Sequence, residues 1–91
     1  MKDTKDLVGE LIESCHGTLG ESVLMVAIRH YNNQDLKAAV NHIYNAMVEG
    51  KIGISETIWE KFRDCVWTMP GQDNGRVMGL LQDNLLIENR T

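Results

Sequence analysis

Proline occurs once in the 91 residues, cysteine twice, and the nine basic residues are outnumbered by thirteen acids. Each shortage removes a class of explanation. The single proline puts one hard break in the chain, at Met69-Pro70-Gly71, because the ring removes a backbone donor and restricts the residue before it. Cys15 and Cys65 stand far apart with no export signal ahead of them, so two packed free thiols are expected rather than a disulfide. The deficit of lysine and arginine leaves a net charge of −4, whose average field repels phosphate backbones and makes nucleic acid a poor direct partner. That same field attracts basic proteins. No apolar run approaches the roughly 20 residues that cross a bilayer, which excludes a spanning helix. The opening Met-Lys-Asp-Thr-Lys-Asp-Leu has acids where a signal peptide needs positive charge, so a cytoplasmic protein without a membrane role is expected.

What is present is helical periodicity. Leu36, Ala39, Val40, Ile43 and Met47 recur at three- and four-residue steps and make one apolar stripe. Asn32 or Asn33 is read as the cap of this helix, Asp35 as an anion in its first turn, and Gly50 as its stop. Ahead of it, Leu7, Val8, Leu11, Ile12 and Cys15 share one side of a helix from about Thr4 to His16. Asp3, Asp6, Glu10 and Glu13 share the other side, and Gly17 ends the element. Thr18-Leu19-Gly20-Glu21 has the spacing of a capping box. The run Val23–Ile28 that follows is apolar on every side, and periodicity alone does not separate a helix from a buried strand there. The capping box, the polar ending at Arg29-His30-Tyr31-Asn32 and the lack of a second strand to pair with favour a helix, expected to be the most enclosed in the fold.

Beyond Gly50, Ile52 and Ile54 belong to a short extended connection, and Ser55 caps the next helix, with Ile54 and Trp59 at the spacing of a hydrophobic staple. From Glu56 to about Thr68 the buried side is Ile58, Trp59, Phe62, Cys65, Val66 and Met69. A last helix is expected from about Gly75 to Leu86, weakened by Gly75 and Gly79, before a frayed tail. The sum is an all-α, single-domain bundle of four to five short helices spanning residues 1–91.

No residue set spells out a reaction. There is no phosphate-binding glycine loop, no His-Glu-x-x-His, no Cys-x-x-Cys and no Gly-x-Ser-x-Gly, so neither an enzyme nor a cofactor is expected. Cys15 and His16 are neighbours in sequence but point about 100° apart on a helix, and two ligands do not make a zinc site. His30 and His42 lack the assisting groups that a mechanism needs. A helix-turn-helix reader of DNA would need several exposed bases on one helix, whereas residues 56–68 carry three acids against Lys61 and Arg63. An acyl carrier would need a serine behind an aspartate at a helix start, and no Asp-Ser-Leu occurs.

Charge placement offers two candidate contact faces. One is the acidic stripe of the first helix. The other lies opposite the buried arc of the Glu56–Thr68 helix, where Trp67 is rotated by about 140° from Phe62 and joins Glu56, Glu60 and Asp64. Either Trp67 is covered by the Met69–Asp73 loop, or it anchors a partner-binding face, extended by Glu49 and His42 from the preceding helix.

The stretch Q-D-L-K-A-A-V-N-H-I-Y-N-A-M-V-E-G-K-I-G-I-S-E-T-I-W-E-K-F carries a polar lead-in, a small-residue centre, a bulky apolar ladder, an Ile-x-Ile-Ser exit and a second helix. Over about Asn32 to Asp64, roughly a third of the chain, it resembles the MafI-type immunity proteins. These are small helical proteins that neutralise toxin domains passed between neighbouring bacteria, many of them nucleases of the EndoU type. The resemblance implies stoichiometric inhibition of a toxin domain with a basic surface, a ribonuclease above all, without catalysis by the inhibitor. The alternative is a small helical phage or plasmid regulator or adaptor with another protein partner.

Overall fold

The computed structural model describes residues 3–69 and Gly79. Four α-helices follow in order: α1 (Thr4–Ser14), α2 (Glu21–Asn32), α3 (Leu36–Gly50) and α4 (Glu56–Trp67). No named strand occurs among the described residues, so the fold is all-α. The helix expected over 75–86 lies outside the described residues apart from Gly79, which is helical.

The helices pack as two pairs. α2 lies along α3, α4 lies along α1, and α1 also touches α2 and α3, so the first helix joins the halves. Their shared core contains Val8, Leu11, Cys15, Ala27, Ala39, Ile43, Met47, Phe62 and Cys65, all fully buried. These are the apolar stripes that a 3.6-residue period places on one side of each helix. Burying a leucine- or phenylalanine-sized side chain contributes about 1.5–3 kcal/mol, which makes Phe62, Leu11, Ile43 and Met47 the main anchors.

The start of α1 at Thr4 and the Ser55 cap of α4 agree with the sequence reading, and several other helix ends differ from it. Asp3, not a residue of the helix itself, caps α1, its Oδ1 accepting from the Asp6 N–H at 2.9 Å. The Thr18–Glu21 capping box does not form. The Cys15 carbonyl accepts from both Thr18 and Leu19 N–H at 3.0 Å, around a turn whose Gly17 has φ 87°. Leu19 is thereby drawn into the core, and Gly20 becomes the N-cap of α2 with no side-chain bond to offer. Nor is α2 the most enclosed helix: Leu24 and Ala27 are buried, whereas Met25 is 62% exposed.

Asn32 and Asn33 close α2 instead of opening α3. Gln34, at φ 64°, turns the chain, with Asp35 N–H donating to His30 O at 2.9 Å and Gln34 N–H to Tyr31 O at 3.1 Å. That pair of bonds is a Schellman motif. Asp35 then caps α3, its Oδ1 accepting from Ala38 N–H at 3.4 Å. The end of α3 repeats the device: Lys51 takes φ 51°, and Ile52 N–H donates to Met47 O at 3.0 Å. Gly50 is the last helical residue rather than the left-handed one. A Cβ there would stand 3.2 Å from Ile52 Cδ1 and Cγ1, so its smallness lets Ile52 fold back over the helix end.

Candidate functional site

α4 is set by its two ends and its buried arc. Ser55 Oγ accepts from Ile58 N–H at 3.3 Å, and Ile54, just before the cap, is buried while Trp59 packs partly against the core. At the other end the Thr68 hydroxyl donates to Cys65 O at 2.7 Å, and the chain bends at Met69, itself buried. With Ile58, Phe62, Cys65 and Val66 inward, the packing sets which side of the helix faces out. Its opposite side is fixed in space.

That side carries two rows of residues, each stepping by four. Glu56, Glu60 and Asp64 form one row; Arg63 and Trp67 belong to the other, which begins at the edge of the core with the partly buried Trp59. On the wheel Trp67 falls about 20° from both Glu56 and Glu60, in the middle of the face. It is 61% exposed, and residues 70–73 of the loop that would cover it lie outside the described residues. Glu56 is exposed, whereas Glu60 and Asp64 are half-buried. Arg63 is the feature that the charge pattern alone did not convey. Its guanidinium lies 5.6 Å from the centre of the Trp59 ring and its Nη2 is 3.4 Å from Asp64 Oδ1. The Trp-x-x-x-Arg spacing is the sequence signal for this cation–π contact, since residues four apart are neighbours on a helix.

His42 and Glu49 occupy other places. His42 turns towards α2, its ring 6.3 Å from that of His30, and its Nε2 is buried without a hydrogen-bond partner among the described residues. Glu49 is exposed in the last turn of α3. The competing stripe on α1 is interrupted. Glu10 leaves the solvated face and accepts from Lys61 of α4 at 2.8 Å. This bond, and the charge of Glu10 behind it, holds the Lys61 ammonium above its ordinary pKa. Asp6 and Glu13 remain exposed, without Glu10 between them to complete a face.

Both cysteines are free and buried, and burial pushes each thiol up to about 12. Both lie inside the core, one directly after α1 and one in α4, as packed neutral thiols. Among the described residues no group of three or more His, Cys, Asp or Glu side chains could hold a metal ion, and no helix is long and apolar enough to cross a membrane. The arrangement can bind another molecule along α4 through an indole, a guanidinium and three carboxylates. No protein-family model, curated protein or solved structure matches this chain.

Proposed function

We propose that this chain is an immunity protein, which neutralises a bacterial toxin domain in the cytoplasm by binding it one to one. The observation that carries the reading is Trp67, a large aromatic left 61% exposed at the centre of a face lined by Glu56, Glu60 and Asp64. Exposed aromatics ringed by charges have the anatomy of binding hot spots, in which the ring supplies buried area and the charges supply register. The resemblance of Asn32–Asp64 to the MafI type supports the same reading from the sequence side.

The mechanism follows from the toxin's own needs. A nuclease must hold phosphate with lysine, arginine or histidine, so its working surface is basic. A net charge of −4 steers such a domain towards this chain, and the carboxylate row on α4 meets its cations on contact. Neither cofactor nor reaction is needed, only a preformed surface of about 800 Å². The reading is tested by a pull-down with the product of the adjacent toxin gene and by a protection assay in cells lacking this protein. Capture of that product together with rescue of growth is expected. A toxin domain that passes through the column unbound, and kills equally with and without the protein, would remove the reading.

A further inference from the structure

The two rows on α4 suggest which basic side chain the face is built to take. Inside the chain, one cation already lies against this face. Arg63 lies over the Trp59 ring at 5.6 Å and presents Nη2 to Asp64 Oδ1 at 3.4 Å. A planar guanidinium can stack on an indole and still offer its edge to a carboxylate. An ammonium has no plane to stack and binds as a point charge. Trp67 stands eight residues beyond Trp59 in the same row, with Asp64 three residues before it and Glu60 seven before it. It repeats the platform of Trp59 nearer the solvent, at 61% exposure.

We infer that Trp67, flanked by Asp64 and Glu60, receives an arginine side chain of the partner, stacked on the indole with its edge towards the carboxylates. The inference rests on the reading of α4's outer face as the partner-binding face. It adds the chemistry of the anchoring contact. Asp64 is free to take part because its bond to Arg63 is long and lies at a surface where both side chains are more than two-fifths exposed, so turning from one guanidinium to another loses little. The rows then alternate aromatic, cation, aromatic, with the partner's cation continuing the series.

The probe is a tetra-arginine amide peptide compared with a tetra-lysine amide of the same charge. Each is titrated into the full chain at low ionic strength while the two indole Nε1–H resonances are followed. The Trp67 signal is assigned by its loss in Trp67→Leu, whose circular dichroism checks that the fold is kept. The arginine peptide should shift the Trp67 resonance saturably and bind about three- to fivefold tighter than the lysine peptide. In Trp67→Leu that preference should vanish while weaker, charge-driven binding remains, and Asp64→Asn should weaken both peptides. Equal affinity for the two peptides, or a shift centred on Trp59, would overturn the inference. Failure here is separable from failure of the immunity reading. A toxin domain held through this face with no arginine preference leaves that reading standing, and an arginine preference beside an unbound toxin domain leaves only this one.

Discussion

At the scale of single residues, the two thiols make the plainest prediction. Cys15 and Cys65 are fully buried, one directly after α1 and one in α4, the helices that pack together. A thiol-reactive dye at pH 8 should label neither in the native protein and both once urea unfolds it, and reductant should leave the melting temperature unchanged. The pH dependence has a definite sign. Each thiol rises from 9.0 to about 12 in the fold, so the unfolded chain loses these protons first. Stability from this source is complete below pH 9 and falls as pH climbs towards 12. Cys65→Ala should flatten the alkaline slope of the urea midpoint, whatever it does to the midpoint at pH 7. Gly9 makes the second prediction. A Cβ there would stand 2.9 Å from Tyr31 Oη, where α2 closes on α1. Gly9→Ala should therefore fail to deliver the roughly 1 kcal/mol that alanine gains over glycine in a helix interior, and the gain should appear in a Tyr31→Phe background. Urea midpoints of the two single variants and the double variant decide it.

At the scale of elements, the helices are legible in the sequence, and their ends only in part. Stripes such as Leu36, Ala39, Val40, Ile43 and Met47 declare a buried face by spacing alone, because any helix that buries them must present them together. Caps depend on where the backbone turns. Ser55 was readable because an extended segment runs straight into it. Thr18 was not, since the Cys15 carbonyl claims the turn and shifts the start of α2 to Glu21. Asn33 misled for the opposite reason: α2 ends with Gln34 in the left-handed region, and no glycine marks the boundary. The end of α3 likewise puts Lys51, not Gly50, at positive φ. Lys51→Gly and Gln34→Gly should each stabilise the protein by about 0.5–1 kcal/mol, because glycine enters the left-handed region without the Cβ penalty. Ser55→Ala should cost about 1 kcal/mol through the lost bond to Ile58 N–H. Ile43→Ala, at the centre of α3 and fully buried, should cost about 2–5 kcal/mol in chemical denaturation. A loss under about 0.5 kcal/mol would show that α3 turns another face to the core.

At the scale of the molecule, the division into an α2/α3 hairpin and an α1/α4 pair leaves Trp67 exposed on the outer side of α4, among carboxylates. Sequence spacing placed Trp67, Glu56, Glu60 and Asp64 on one side of a helix. Spacing within one helix carries no information on what covers that side. The orientation of His42 towards His30 and the diversion of Glu10 to Lys61 are tertiary facts, set by packing between helices. The measurement that decides the functional reading is the affinity of the toxin domain proposed as partner for three forms of the chain: the parent, Trp67→Ala, and the double change Glu60→Lys with Asp64→Lys. Each variant should retain the helical spectrum and lose at least about 2 kcal/mol of binding, roughly thirtyfold in Kd. Variants that bind and protect as the parent does would contradict the assignment of α4's outer face as the binding surface.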